Sequence, residues 1–324
     1  MTAVGSGVAG VSWVVAGGFA AWAAARVAGV DRLRTTESVT VPLMSFTPQV
    51  AAAAPVAALA LRLTGRRGPA TTVVLASAAL GLVVRSRAVP RRQPAATGPT
   101  LRVLTNNMLV GRAEPEAIVG RVRAADPDVL FLQELTSGAE IRLKQAGLED
   151  LLPHTLIEHI DGGPRGSAIY SRYPLSEALP HPETFAAQPT AVLELPGGDA
   201  VELICVHLRA PALRRDGSVP WRSELGMLPA PGKRPRVIAG DFNASVDHAA
   251  FRDLLRLGYA DAAVQTGTGL VRTWGPPNQD PWLTIDHVLV SRGCAVRACA
   301  VYDVAGSDHR AVYAEISLPA RDEA

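Results

Sequence analysis

Lysine is nearly absent from this 324-residue chain: only Lys144 and Lys233 stand among its 32 basic residues, so the positive charge is almost all arginine. Cysteine is scarce as well. Cys205, Cys294 and Cys299 cannot all pair within the chain, and none lies in a C-x-x-C or Cys/His spacing, which excludes a disulfide scaffold and a thiolate zinc site. Thiols buried in strands are expected instead. Aromatic residues make up 5% and charged residues 19%, against 48% hydrophobic residues and a mean hydropathy of +0.16. Such a composition excludes disorder and a collagen-like repeat. It is also more apolar than a soluble enzyme of this size, so part of the chain is expected in lipid.

Charge is missing altogether from residues 1–25. At ~1.5 Å per helical residue, the run AVGSGVAGVSWVVAGGFAAWAAA is long enough to cross a hydrocarbon core of ~30 Å. It has no basic n-region and is followed by further apolar runs, which points to an uncleaved anchor rather than a removed signal. A second uncharged run covers 38–61 and contains Pro42, Pro48 and Pro55, which membrane helices tolerate. A third, 68–84, is at the short limit for a span. Three transmembrane helices are therefore expected within 1–84, followed by an Arg/Pro-rich linker at 85–99 and a globular domain at 100–324. The letters GSGVAG at 5–10 match a dinucleotide-binding pattern, but no strand precedes them, and close helix packing in lipid explains the small residues.

Charge of one sign is also unevenly placed. Residues 1–100 hold ten arginines against Asp31 and Glu37, a net of +8, whereas 101–324 hold 22 basic and 28 acidic residues, a net of −6. An acidic domain weakens the case for non-specific nucleic-acid binding, whose affinity comes from clustered basic charge on phosphates. With an outside N-terminus, the arginines flanking the spans fall seven inside against three outside, which favours a multi-pass cell-membrane protein with a cytoplasmic globular domain.

From Leu101 the texture changes to short β-branched runs separated by turns: LRVLTN, DVLFLQE, GSAIYSR, TAVLELP, VELICVHL, RVIAGDFN, LTIDHVLVS, AVRACAVYDV and AVYAEI. Helices are expected at 114–125, where Pro115 fits a first-turn position, and at 137–145, 223–228 and 247–257. Many strands with a few helices over this length predict an α/β class, as a two-sheet α/β sandwich.

Acids, amides and imidazoles recur at the ends of these apolar strands, where rigid scaffolds carry catalytic groups. Asn107 ends the first strand and Glu134 ends DVLFLQE; a turn amide and a surface charge are the simpler readings of each. His207 sits inside ICVHL, where an imidazole needs a partner. In VIAGDFNAS, Asp241 and Asn243 are two apart and able to project to one side. IDHVLVS adds Asp286 and His287, of which alternation lets only one face the site, and GSDHRAV adds Asp308 and His309. Two Asp-His neighbours at strand edges are costly unless they pair or bind something.

The segments LTNNM, LFLQE, GSAIYSRYP, CVHL, AGDFN, TWG, IDHVLVS and GSDHRAV, in that order between Leu101 and Ile316, resemble the endonuclease/exonuclease/phosphatase superfamily of DNase I-like fold, with the upstream helices resembling its membrane-anchored bacterial members. The resemblance implies a metal-dependent phosphoric ester hydrolase. It implies that Glu134, with Asn107 and Asp308, holds Mg²⁺ or Mn²⁺, a hard ion suited to oxygen ligands. It implies that His309, oriented by Asp286, is the base or electrostatic partner of the attacking water, that Asn243 and His207 donate hydrogen bonds to non-bridging oxygens, and that Asp241 positions the water or assists the leaving oxygen.

The expected partner is a phosphodiester substrate, in a nucleic acid or a lipid head group, together with the membrane itself; no protein partner is inferred. The sequence TIDHV stands where inositol polyphosphate 5-phosphatases would show a Trp-Cys-Asp-Arg run, and Leu135 stands where abasic-site endonucleases carry a Lys after the QE motif. Trp221, Trp274 and Trp282 lie in Pro-rich loops that could touch a lipid interface, although such residues more often pack locally. The alternative class is a catalytically silent binding or scaffold module on the same fold, against which all the expected polar positions are filled. A transport role is disfavoured, because the spans lack an acid, base or histidine within them.

Overall fold

The computed structural model describes residues 3–160, 165–177, 184–211, 218–277 and 279–320. Four helices come first: α1 (Ala3–Ala28), α2 (Glu37–Met44), α3 (Thr47–Leu63) and α4 (Arg67–Arg85). The GSGVAG letters lie within α1 and precede no strand-to-helix turn. Two helical segments are long and apolar enough to cross a membrane, Gly10–Ala28 and Arg67–Arg85. The second apolar run, expected as one span, is instead the pair α2 and α3 bent by 73°. Its break falls at Ser45–Phe46, where α2 has already accommodated Pro42 and Pro48 opens the next helix as a first-turn residue.

Beyond them, two six-stranded sheets pack face to face. The first, in spatial order, contains β11 (Ala295–Tyr302), β12 (Ala311–Ser317), β1 (Thr100–Asn107), β2 (Val129–Leu135), β4 (Gly166–Ser171) and β3 (His154–Glu158). The second contains β5 (Leu175–Glu177), β6 (Thr190–Glu194), β7 (Ala200–His207), β8 (Arg236–Asp241), β10 (Asp286–Ser291) and β9 (Tyr259–Asp261). Each sheet has a parallel pair at its centre, β1 with β2 and β7 with β8, and antiparallel neighbours around it. The expected two-sheet sandwich is the observed architecture.

The two-residue side-chain period assigns the layers. Leu101 and Val103 of β1, Val129 and Phe131 of β2, Val201, Leu203 and Cys205 of β7, and Val237 and Ala239 of β8 point between the sheets into one core. The alternate residues Leu104, Leu130 and Leu132 turn outward and are covered by α5 (Pro115–Ala125) and α6 (Ser137–Gln145) through Ile118, Val119, Val122 and Leu143. On the other sheet Ile204, Val206 and Ile238 are covered by α8 (Val219–Met227), α9 (Ala249–Arg256) and Val41 of α2. Helix α8 starts four residues earlier than the expected 223–228, with Pro220 in its first turn. The cysteines are buried and free; Cys205 and Cys299 lie in strands, as expected, whereas Cys294 lies in the turn just before β11.

The segment expected as a linker lies along the domain. Gln93 accepts from the backbone N–H of Val296 and donates to Gln265, Arg297 donates to the carbonyl of Ala96, and Gly98 bonds the carbonyl of Leu318.

Candidate active site

The parity that fills the core also builds the site. Positions 101, 103, 105 and 107 of β1 share one face, as do 201–207 and 237–241 taken in twos, so Asn107, His207 and Asp241 continue the inward stripe as its last, polar members. Because β1/β2 and β7/β8 run parallel, these C-terminal ends meet at one rim of the sandwich. Strand β10 runs antiparallel to β8 and pairs Asp286 with Asp241, so its first residue arrives at the same rim. Val288 and Val290 face the core, which puts Asp286 on the site's side and His287 on the opposite one.

Glu134 has the wrong parity for this rim. A register shift between Gln133 and Leu135 corrects it, and Glu134 itself takes a φ of 55°. A β-bulge with a left-handed glutamate is a local strain that persists at functional sites, because it re-aims a side chain. Asn243, two residues past β8, is held similarly at φ 46°. Gly240 has φ 146°, and a Cβ there would stand 2.0 Å from the Val206 carbonyl, so only glycine lets β8 approach β7 immediately before Asp241.

The contacts knit these residues together. The Asn107 side-chain Nδ2 donates to Glu134 Oε1 and to Asp241 Oδ2, each at 3.1 Å, while its Oδ1 accepts from the Leu109 N–H. Glu134 Oε2 accepts from the Val110 N–H at 2.7 Å. His207 Nε2 is 3.7 Å from Glu134 and 4.0 Å from Asp241. Asn243 Nδ2 donates to the Leu208 carbonyl at 2.9 Å and to Asp241 Oδ2 at 3.1 Å. Both oxygens of Asp286 lie 3.0 Å from His309 Nδ1, and the other nitrogen of that ring, Nε2, is 3.8 Å from Asp241.

His309 is set by a short loop. The Ser307 hydroxyl donates to the Asn107 carbonyl and accepts from the His309 N–H. Asp308 Oδ2 accepts from the Trp274 indole at 3.1 Å; its buried Oδ1, 3.9 Å from His309 Nε2, has no hydrogen-bond partner among the described residues. The Nδ1 of His207 is equally buried and unpartnered among them. Buried polar atoms left without a protein partner mark places where a water or a ligand completes the bonding. A cavity of about 330 Å³ opens beside His309 and Asp308, with Gln279, Asp280 and Arg310 in its wall.

Burial opposes a charge on His309, but Asp286 and then Asp241 outweigh it and lift the imidazole to about 9. Burial pushes Asp241 up to about 7; the His309 cation pulls it down and Asp286 pushes it up. Burial lowers His207 to about 4, against the pull of Glu134. Three groups at one rim thus have acidities moved by environment in the manner of acid–base sites.

The structure brings the expected residues together at one rim. The pairing runs across the two Asp-His sequence neighbours rather than within either. Asp286 pairs with His309, whereas His287, on the far face of β10, binds Asp261 at 2.6 Å and the Ala244 carbonyl at 2.8 Å. His287 is a buried structural histidine packed against Phe242 and Phe251. Of the tryptophans, Trp221 is buried with its indole on the Phe242 carbonyl, Trp274 holds Asp308, and Trp282 alone of these three is exposed.

Glu134 and Asp241 place two carboxylates, donors that suit a hard divalent cation, on either side of the Asn107 amide, which here turns its Nδ2 to both and would bind a cation only through its oxygen; Asp308 offers an unpaired oxygen on the His309 side. One ligand atom each from Asp241, Asp286 and His309 also lie within 4.8 Å of one another. In that trio, Asp286 is already bound to the imidazole.

Residues 104–309 match the family model described as Endonuclease/Exonuclease/phosphatase family. The chain belongs to this family. Solved structures agree in fold. An endonuclease/exonuclease/phosphatase from Beutenbergia cavernae DSM 12333 superposes with a TM-score of 0.52 at 22% identity, over 68% of this chain and 72% of that one. A humanized D. rerio TDP2 with 14 mutations gives 0.53 at 20% identity, over 67% and 98%. D. rerio TDP2 in complex with a single strand DNA product gives 0.52 at 18%, over 67% and 98%. No curated protein matches the chain.

Proposed function

We propose that this family member is a membrane-anchored, divalent-metal-dependent phosphoric ester hydrolase acting on a phosphodiester. The observation that carries the reading is the His309–Asp286 pair facing Asp241 across 3.8 Å, beside a glutamate re-aimed into the same rim by a bulge. Glu134, with Asn107 and Asp308, would hold Mg²⁺ or Mn²⁺. A bound ion of this kind polarises the phosphoryl group and offsets its developing charge.

The remaining steps fall to side chains. Asp286 holds the His309 imidazole in one orientation and stabilises its protonated form, so His309 presents an N–H⁺ at Nε2 to a non-bridging oxygen. Asp241, whose acidity lies near neutrality, accepts the proton of the attacking water. Asn243 holds that carboxylate through its backbone and side-chain amides, and its Nδ2 turns from Asp241 toward the phosphoryl oxygen as negative charge grows there. His207, neutral at pH 7, supplies one N–H to the same group.

Membrane anchoring is supported by chain direction. The C-terminal end of α1, through Arg26, and the residues just after α4, through Arg87, both reach Asp247 of the globular domain. Two spans that both run toward the domain require a return path, and α3, lying between them in the chain and packed on both, provides it. Three passes then place the N-terminus and the α3–α4 turn on one side and the domain on the other, the cytoplasmic side by arginine distribution. The loop bearing Trp274 and Trp282 touches Gln49 of α3, which sets the active-site rim beside the membrane region and suits a substrate presented there, a lipid head group or a nucleic acid.

Hydrolysis of a bis-aryl phosphodiester, plasmid DNA and phospholipid vesicles by the full-length chain in lipid nanodiscs, with Mg²⁺, Mn²⁺ or EDTA, tests the reading. Metal-dependent turnover of any of them supports it, and a folded protein inert on all three contradicts it.

A further inference from the structure

The loop that follows the catalytic strand β8 is fixed by residues outside the globular domain. Between Asn243 and α9 it carries Ser245, Asp247 and His248, all buried, and their partners come largely from residues 26–87. Arg26 donates from Nε to Asp247 Oδ1 at 2.6 Å and from an Nη to the Val246 carbonyl at 3.3 Å. Arg87 closes on both oxygens of the same carboxylate. Asp31 accepts from the Ala249 N–H at the start of α9, at 2.6 Å. The His248 Nε2 contacts the Val41 carbonyl at 2.8 Å and the Ser45 hydroxyl at 3.0 Å, while its Nδ1 accepts from the Ser245 N–H inside the loop.

A buried carboxylate shared by two guanidiniums keeps a counter-charge when one is lost but gives up its hydrogen bonds, and it is left without any compensation when both are lost. Both partners stand at membrane-helix ends, one near the C-terminus of α1 and one two residues past α4. Within the loop, His287 ties the Ala244 carbonyl, and Asn243 bonds Asp241 through its main-chain N–H at 2.8 Å and its Nδ2. Asp247 thus lies four residues along the same loop from the amide that holds the catalytic carboxylate.

We propose that Arg26 and Arg87 are positioning residues: through Asp247 they set the loop bearing Asn243, so that the membrane helices complete the active site rather than merely tether it. The catalytic consequence rests on the hydrolase reading above, but the coupling itself does not. The ends of α1 and α4 act as two jaws on one carboxylate. Any change in how these helices sit in the bilayer reaches Asp241 by this path, which makes the site responsive to its membrane.

The test uses the full-length chain in nanodiscs, with bis-aryl phosphodiester hydrolysis and hydrogen exchange of peptides covering 242–249 as separate readouts. Arg26→Ala/Arg87→Ala should lower kcat roughly 10- to 100-fold, as expected for a small misplacement of reacting groups, with KM changed less than about twofold. Exchange in 242–249 should accelerate while peptides of β1 and β2 stay protected. Arg87→Lys alone, which keeps the charge but cannot bridge both oxygens, should lower kcat and speed loop exchange less than the double variant does. The near-isosteric Asp247→Asn, which leaves both guanidiniums without their anion, gives the same pattern and serves if the double variant does not fold. Unchanged loop exchange in the double variant, or in Asp247→Asn, overturns the coupling. Accelerated exchange with kcat unchanged overturns the positioning role. A wild-type chain inert on every phosphodiester refutes the hydrolase reading, and the exchange data still decide the coupling.

Discussion

Asp286 and His309 are 23 residues apart in sequence, yet both carboxylate oxygens of one lie 3.0 Å from Nδ1 of the other. The contact joins the first residue of β10 to the loop before β12, and so ties the two sheets at the active rim. It also fixes the direction of the remaining ring nitrogen, which points toward Asp241.

The first prediction concerns this pair. Asp286→Asn keeps the shape and removes the charge that holds His309 protonated. Turnover should fall by roughly 10²- to 10⁴-fold, and the His309 imidazole, followed by NMR, should titrate below about 9. Because the folded-state value is raised, its contribution to stability is fully present below the unfolded value of about 6.5 and is lost as pH rises through about 9. The stability gap between wild type and Asp286→Asn should therefore be largest near pH 6 and shrink by pH 10.

Glu134→Gln tests the metal assignment. It keeps the side-chain size and one of the two acceptor oxygens but removes a hard anionic ligand, so the Mg²⁺ or Mn²⁺ concentration for half-maximal activity should rise about 10-fold or more. EDTA should abolish wild-type turnover and excess metal restore it. An unchanged metal titration in Glu134→Gln would move the ion to the Asp241, Asp286 and His309 trio.

Asp247 gives a stability prediction with the opposite sign. Burial pushes the carboxyl up toward its neutral form, but Arg87 and Arg26 outweigh that and hold it below its ordinary value of 3.8. The contribution is present above that ordinary value and is lost as pH falls through the depressed one. Thermal melts of wild type and Asp247→Asn should differ most at neutral pH and converge at the acid end.

Gly240→Ala should destabilise the protein by on the order of 3 kcal/mol, because a Cβ cannot fit against the Val206 carbonyl and φ 146° is open only to glycine. Chemical denaturation measures it. A neutral substitution would mean that β7 and β8 separate readily at the site.

Much of this was legible in the sequence for a physical reason: strand parity. The stripe Leu101, Val103, Thr105, Asn107 and its counterparts in β7 and β8 place polar residues at the end of an apolar face, and they converge once parallel pairing is known. The runs also fix the helices α5 and α6, whose caps and periodicity are local. Contacts between distant segments were not legible. Alternation lets only one of Asp286 and His287 face the site, but only the fold reveals that Asp261, in a three-residue strand with no pattern of its own, is the partner of His287. Glu134 needs a bulge that its sequence does not announce. Asp247, Arg26 and Arg87 read as an ordinary turn acid and as flanks of membrane spans, because their pairing spans 160 residues or more.

The most direct measurement is phosphodiester hydrolysis by the full-length chain in nanodiscs with Mn²⁺, comparing wild type with His309→Ala at matched folding. Metal-dependent turnover that falls by roughly 10²-fold or more in His309→Ala is the predicted result. Turnover equal in the two proteins, or the same with EDTA as with metal, would contradict the assignment of this rim as a hydrolytic site.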